Sequence, residues 1–350
     1  MAELLDIFNA PKTQVVKGVE GKIILIHSNG VKCGKTTVGS QMPKPFYLRF
    51  EQGANAIDGL PYAPLTSWAD FKKVNKMLCD TKPHKMADGS EVTARELYTT
   101  LIFDTLDVAI KWCTKYVCSK YGVERLKDGN NGYGLWSEYE NEWFGEINKL
   151  MNAGFCLYFI AHSEFKKMTD DVTKEEYEQL YPKGDKRTTD LVVEAADFIG
   201  YVKPNGIDEE GNVIKSSVYF AETKSFKCGT RFEYMPKYIE EFSAENLQKA
   251  IEYAVEMKEK ATGHKALTHD EIKAKEAKKS YTLDEIKAEI LKYQKAVYAN
   301  NQDEYFEAVE QSFGSKDFKP SDATVKQMEN LENFLNTLKD IATTNNLEIQ

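Results

Sequence analysis

The sequence predicts an α/β fold in which a mostly parallel sheet is covered by helices, followed by an all-α C-terminal extension. Between Gly21 and about Met235, apolar strand-like runs alternate with amphipathic helical patterns, as in crossover units. After about Ser243 the pattern is wholly helical. The 350 residues are therefore divided into an N-terminal segment, an α/β domain and a helical C-terminal region, with bounds 1–20, 21–252 and 253–350.

Seven apolar runs are predicted as strands. The first four are nearly continuous, as expected of strands buried on both faces: KIILIHS (22–28), PFYLRFE (45–51), TTLIFD (99–104) and FCLYFIAHS (155–163). A fifth, DFIGYVK (197–203), is followed by VIKSSVYFAETK (213–224) and TRFEYMP (230–236). Turn residues separate these last runs, so we expect antiparallel hairpins at the edge of the sheet.

Helical patterns fill the connections between the strands. One helix begins with a Ser67/Asp70 capping pattern, and another ends at Gly122. A third carries an aromatic stripe at helical spacing: Trp136, Tyr139, Trp143, Ile147 and Leu150. Such a stripe could stack on nucleic-acid bases, but its spacing favours core packing. The polar stretch 166–190 is predicted as a loop or lid-like insertion, or as a connection without function.

Composition excludes several classes of protein. No apolar run reaches the roughly 20 residues of a membrane-spanning helix, and the N-terminus lacks a secretory signal, so we expect a cytoplasmic protein and no membrane partner. The six cysteines show no C-x-x-C spacing and predict free thiols. The net charge is −9, of which residues 241–350 carry −6, so a nucleic-acid-binding surface would have to be a local patch.

The stretch NGVKCGKTT resembles a phosphate-binding loop, G-x-x-x-x-G-K-[ST], except that Asn29 stands at the first glycine. It lies after a predicted strand and before a predicted helix, where main-chain N–H groups can surround a phosphate. Lys35 would then contact the β- and γ-phosphates of ATP, Thr36 would bind Mg²⁺, and Thr37 would lie near the α-phosphate. Asparagine tolerates positive φ, and this explains the substitution at Asn29. The loop residues predicted to bind nucleotide are Asn29, Gly30, Val31, Lys32, Cys33 and Gly34.

Two carboxylates end neighbouring predicted strands. Asp104 ends a buried run, a pattern typical of the aspartate that holds Mg²⁺ on the strand beside a phosphate loop. Thr105 follows it, so the carboxylate that activates water must come from elsewhere. Glu51 is the best candidate, because the carboxyl ends of neighbouring strands face the same crevice. A structural role for Glu51 is the alternative.

Two further groups are candidates. His162 ends another core strand, where it could sense the γ-phosphate or serve only in packing. Lys224, Lys227 and Arg231 lie close together on the late hairpin. These cations could reach a nucleotide bound to a neighbouring subunit, or could form a solvated surface.

In their order along residues 20–252, the segments NGVKCGKTT, FYLRFEQG, LIFDTLD, LYFIAHSEFKK, VVEAADFIGYV and TRFEYMPKYIEEFSAENLQKAI resemble the phage nucleotide-binding ATPase family. This is a RecA-like P-loop group related to phage single-strand annealing proteins. The resemblance implies a RecA-like P-loop NTPase core that forms homo-oligomers and acts on single-stranded DNA, often beside a single-strand binding protein. It also implies Lys35, Thr36 and Thr37 as Walker A residues, Asp104 as the Walker B aspartate, Glu51 as the catalytic glutamate and His162 as the sensor. Lys224 and Lys227 correspond more loosely to trans-acting residues.

Three functions remain open from the sequence. The first is a phage ATPase that acts with single-stranded DNA in recombination or replication. The second is a nucleotide-binding assembly or regulatory module that hydrolyses little ATP and recruits a protein partner through its helical tail. A small-molecule kinase is weaker, because the sequence offers no arginine-rich phosphate lid.

Overall fold

The computed structural model describes residues 12–211, 213–276 and 281–349. Its strands are β1 (Ile23–Ser28), β2 (Pro45–Arg49), β3 (Tyr62–Ala63), β4 (His84–Lys85), β5 (Glu91–Val92), β6 (Thr100–Asp104), β7 (Cys156–Thr169), β8 (Glu176–Pro182), β9 (Phe198–Lys203), β10 (Ser217–Tyr219), β11 (Gly229–Thr230) and β12 (Tyr238–Ile239). Its α-helices are α1 (Lys35–Ser40), α2 (Trp68–Leu78), α3 (Ala94–Leu97), α4 (Leu106–Lys120), α5 (Trp136–Asn152), α6 (Lys186–Ala195), α7 (Ala244–Thr262), α8 (His269–Glu276), α9 (Leu283–Asn300), α10 (Gln302–Phe313) and α11 (Met328–Thr344).

The main sheet has the predicted mixed character. Its strands follow the order β12–β10–β9–β1–β7–β6–β2–β3. The six from β9 to β3 are parallel, whereas β10, β11 and β12 add antiparallel pairs at one side. The prediction of a mostly parallel α/β sheet with antiparallel hairpins is therefore confirmed.

One expectation about strand order is wrong. We expected the strand of Asp104 to lie beside the strand that precedes the phosphate loop. In the structure β7 lies between β1 and β6 and pairs with both. Spatial order depends on how each crossover helix packs against the sheet, and chain order does not specify it.

The sheet is buried on both faces because successive side chains along a strand point to opposite sides. In β1, Ile23 and Leu25 join one core with α2, α4 and α5, whereas Ile24 and Ile26 join a second core with α7. The aromatic stripe of α5 belongs to the first core, where Tyr139, Trp143, Ile147 and Leu150 are buried. Core packing of that stripe is confirmed.

The polar stretch 166–190 is more ordered than predicted. Strand β7 continues through Thr169 and pairs antiparallel with β8, so that Phe165 lies opposite Leu180. Helix α6 then begins after Asp185, whose side chain accepts a hydrogen bond from the N–H of Arg187. The expectation of a loop is wrong for most of this stretch, because cross-strand pairing outweighs the polar composition, whereas the lid-like insertion stays a prediction. The run TRFEYMP is also shorter as a strand than predicted, since only Gly229–Thr230 pairs with β9.

The chain forms two compact units. The larger is Thr13–Ile272, and the described part of the smaller comprises Lys12, 273–276 and 281–349. The division falls later than the predicted 252/253, because α7 continues to Thr262 and buries Leu247, Ile251 and Ala254 in the second core. Of the predicted N-terminal segment 1–20, residues 1–11 lie outside the described residues.

In the smaller unit, α9, α10 and α11 form a helical core around the fully buried Phe334. Thr282 caps α9 and forms a capping box with Glu285.

All six cysteines are free. Within the described ranges, no helix has the length and apolar character needed to cross a membrane.

Candidate functional site

The predicted site residues lie at one edge of the sheet, where the parallel strands end. In the strand register, Ser28 of β1 lies opposite His162 of β7, and Asp104 of β6 lies opposite both Ile160 of β7 and Arg49 of β2. The loop before α1 leaves from the end of β1. Ligands of open α/β sheets bind in the crevice at this edge.

The phosphate-loop candidate follows β1 directly, but its conformation differs from expectation at Asn29. Positive φ occurs at Lys32 (57°) and Gly34 (86°) and not at Asn29. Our explanation of Asn29 by tolerance of positive φ is therefore wrong. Instead, its side-chain Oδ1 accepts a hydrogen bond of 2.8 Å from the Tyr201 hydroxyl. Gly30 is required by close packing, since a Cβ there would lie 2.6 Å from Cγ of Pro204.

The loop offers main-chain donors around Lys35. In the part of the chain that the structure describes, the N–H groups of Val31 to Gly34 donate to no other protein group. The Lys35 ammonium is buried and donates to Gly30 O at 3.3 Å and to Cys33 Sγ at 3.4 Å. Thr37 lies on the exposed side of the same turn. Free amides around a buried cation are the composition of an anion-binding nest.

Thr36 and Asp104 are 68 residues apart in the chain, and we expected them to belong to one site. In the structure they are in direct contact. The Thr36 hydroxyl donates to Asp104 Oδ2 over 2.8 Å. The Tyr47 hydroxyl lies 3.1 Å from the same carboxylate oxygen and 3.1 Å from Glu51 O. Burial raises the pKa of Asp104, against the lowering effect of the hydrogen bonds from Thr36 and Tyr47. Tyr47 was missed by sequence reasoning, because a tyrosine inside an apolar strand gives no functional signal.

The main chain at Glu51 is hydrogen-bonded to the main chain of Asp104. The N–H groups of Phe50 and Glu51 both donate to Asp104 O, at 3.1 and 2.9 Å. The Thr105 hydroxyl donates to Glu51 Oε2 at 3.4 Å, and the Asp104–Thr105 peptide is cis. Burial raises the pKa of Glu51, with a further increase from the negative charge of Asp104. A half-buried carboxylate with a raised pKa has the properties of a general base.

His162 lies at the last register position shared by β1 and β7, although β7 itself continues beyond it. Its Nδ1 is 3.2 Å from Asp107 Oδ1. That hydrogen bond raises the pKa of His162, and the attraction of Asp107 and Glu51 adds to it against desolvation. Asp107, in the first turn of α4, was not predicted as a site residue.

A second histidine lies on the strand that precedes the loop. His27 on β1 is fully buried, with Nδ1 2.9 Å from Ser163 Oγ and Nε2 2.5 Å from Lys227 O. Burial lowers the pKa of His27 to about 4. Sequence reasoning missed it, because a histidine inside an apolar strand resembles any other strand residue.

The three cations of the late hairpin are paired within the chain rather than gathered at the site. Lys224 binds Asp170 at 3.0 Å, and Lys227 binds Glu222 at 2.9 Å. Arg231 lies 3.9 Å from Asp197 and donates to the carbonyl of Glu194.

The oxygen atoms of Thr36 and Asp104 are suitable ligands for Mg²⁺. No group of three or more acidic, histidine or cysteine side chains within the described ranges could hold a metal ion. Mg²⁺ does not need one, because it binds through one or two protein oxygens together with nucleotide phosphates and water. The Thr36 hydroxyl and the Asp104 carboxylate supply such oxygens within 2.8 Å of each other. A separate open cavity of about 440 Å³, lined by Ser40, Lys44, Leu60 and other residues, shares none of these groups.

Comparison with known proteins agrees with this arrangement. Residues 22–232 match the family described as AAA domain, and this range includes every site residue named above. The chain belongs to this family. Its AAA domain is thus a P-loop ATPase-like domain, and the match implies that it binds nucleotide. The chain is also similar to the SPbeta prophage-derived uncharacterized protein YorG of Bacillus subtilis strain 168, with 41% identity over 337 residues. The aligned residues cover 96% of this chain and 98% of that protein.

Proposed function

We propose that this protein is a RecA-like, Mg²⁺-dependent ATPase that forms homo-oligomers and acts with single-stranded DNA in phage recombination or replication. The observation that carries the ATPase proposal is the hydrogen bond between Thr36 and Asp104, with Glu51 fixed beside it. The prophage relative supports a phage origin and hence the cytoplasm of a bacterial host. The DNA, a single-strand binding protein as partner, and the oligomer rest on the resemblance described above.

Each residue has a defined task in this proposal. Lys35 exchanges its contacts with Gly30 and Cys33 for the β- and γ-phosphates, and the free loop amides donate to the same anion. Thr36 and Asp104 hold Mg²⁺, which neutralises charge on the phosphates when bound. Glu51 accepts a proton from the attacking water.

The test is a steady-state ATPase assay with and without single-stranded DNA. Wild type is compared with Lys35→Ala, Glu51→Gln and the exposed-lysine control Lys85→Ala. We expect Lys35→Ala to abolish turnover and Glu51→Gln to lower kcat by about 100-fold or more while ATP binding is retained, since general bases contribute about that much. Undiminished turnover in Lys35→Ala would reject the proposal.

One observation favours the nucleotide-binding assembly module as a second candidate. The β7–β8 hairpin next to His162 carries three lysines and six acidic residues between 163 and 182, a net charge of −3, and it is poorly suited to a phosphate backbone. The cations that could act on a neighbouring subunit also have acidic partners in their own chain. Tight ATP binding without turnover, together with a protein partner lost on deleting 273–350, would favour the module. DNA-stimulated turnover would favour the ATPase.

A further inference from the structure

The β6–α4 junction holds a carboxylate that the proposed ATPase mechanism has not used. Asp107 lies three residues after Asp104, and its side chain is only 6% exposed. A carboxylate buried to this extent requires a partner. Its partner across the crevice is His162, with Oδ1 of Asp107 3.2 Å from Nδ1.

This contact decides which nitrogen of His162 is available. An ionised carboxylate only accepts hydrogen bonds, so Nδ1 of the ring carries the hydrogen. Nε2 is then the nitrogen left for other partners, and the side chain of His162 is 40% exposed. In the neutral ring Nε2 is a hydrogen-bond acceptor, so it can bind a water hydrogen but not an unprotonated phosphate oxygen.

The surroundings place the His162 ring within the electrostatic influence of the nucleotide-site residues. The charges of Glu51 and Lys35 both act on the His162 ring, in opposite directions. Asp107 itself is in the first turn of α4, where the helix dipole favours a negative charge. At the junction, Asp104 contacts Thr36, the side chain of Thr105 contacts both Glu51 and Asp107, and Asp107 contacts His162.

We propose that Asp107 is a positioning residue for ATP hydrolysis: it fixes the orientation and tautomer of His162 so that Nε2, an acceptor in the neutral ring, faces the attacking water. This inference rests on the proposed ATPase function. Asp107 does not touch the nucleotide and acts through His162.

The first test is independent of activity. ¹⁵N-histidine NMR spectra of the full chain, recorded at a pH alkaline enough for neutral rings, report the tautomer of each of the five histidines. His162→Gln assigns the signal. We expect His162 to be protonated at Nδ1 in wild type and in Asp107→Asn, whose side-chain oxygen can still accept, but at Nε2 in Asp107→Ala. An unchanged tautomer in Asp107→Ala would overturn the proposal.

The second test separates chemistry from binding. We expect Asp107→Ala to lower kcat by about tenfold or more, with KM and the affinity for a non-hydrolysable ATP analogue within about twofold of wild type, because losing the acceptor that orients the attacking water chiefly affects the transition state. Asp107→Asn keeps the acceptor oxygen and should therefore recover most of the lost kcat. It serves as the control for a folding defect in the alanine variant. A changed tautomer with unchanged kcat would overturn the positioning role. If wild type shows no turnover, the proposed ATPase function is rejected, and the role of Asp107 in hydrolysis is rejected with it. This holds even if the NMR spectra confirm the contact between Asp107 and His162.

Discussion

The buried His27 makes the stability of the α/β unit depend on pH. Its ring, on the strand that precedes the phosphate loop, is hydrogen-bonded to Ser163 and to the carbonyl of Lys227. Because the carbonyl only accepts, Nε2 carries the hydrogen and Nδ1 accepts from the serine hydroxyl. Protonation of Nδ1 would require the Ser163 hydroxyl to accept instead of donate, and it would place a charge in the core.

The size of the pH-dependent change in stability follows from the difference between the pKa of His27 in the folded and in the unfolded protein. Burial lowers the pKa of His27 from 6.5 to about 4 in the folded protein. Above about pH 6.5 the ring is neutral in both states and the pair of bonds contributes fully. As the pH falls below 6.5, the unfolded chain binds the proton more readily, so the free energy of unfolding decreases until about pH 4. Between about pH 7.5 and about pH 5 the expected loss is about 2 kcal/mol.

Urea unfolding followed by tryptophan fluorescence measures this loss. All four tryptophans lie in the larger unit, at positions 68, 112, 136 and 143, so the signal reports that unit. Wild type, His27→Gln and the control His264→Gln, which replaces an exposed histidine of the same unit, are compared at the two pH values.

We expect the pH-dependent loss of stability to be smaller in His27→Gln than in wild type by about 2 kcal/mol, whatever the absolute stability of the variant. Contributions from other titrating groups are common to both proteins and cancel. The reasoning would be refuted by a loss in His27→Gln within about 0.5 kcal/mol of the wild-type value, or by a His264→Gln variant that behaves in the same way.

Three further predictions follow from the site. Restoring the usual glycine by Asn29→Gly should destabilise the protein by about 1 to 2 kcal/mol in thermal unfolding, because Tyr201 loses its acceptor and the position does not need positive φ; a stabilised variant would contradict this. Gly53→Ala should lower kcat by about tenfold, since its Cβ would lie 2.5 Å from the carboxylate at the end of β6; wild-type kcat would show that the site tolerates the displacement. Thr36→Val should reduce by about tenfold or more the Mg²⁺-dependent gain in ATP-analogue affinity measured by calorimetry, whereas Thr37→Val should keep that gain. Equal gains in the two variants would exclude Thr36 from the metal site.

Much of the candidate site was predictable from local sequence. The loop from Asn29 to Thr37 and the run ending in Asp104 predict chemistry through residue types at fixed spacing, and the structure brings Thr36 and Asp104 into contact. The partners that hold these groups were not predictable. Tyr47, Asp107 and His27 lie within ordinary strand or helix patterns, and their importance comes only from neighbours distant in the chain.

The sequence alone determined the α/β class, the burial of the central strands and the helical C-terminal region, because these depend on the periodicity of apolar residues along each element. Only the tertiary structure decided that β7 separates β1 from β6, that 163–182 forms a hairpin, and that α7 belongs to the larger unit. It also decided the role of Asn29, whose side chain accepts a hydrogen bond from Tyr201 on β9 and is not there to permit a positive φ in its own loop. Strand order, long-range pairing and hydrogen bonds between distant segments are set by packing of the whole chain, and no local pattern encodes them.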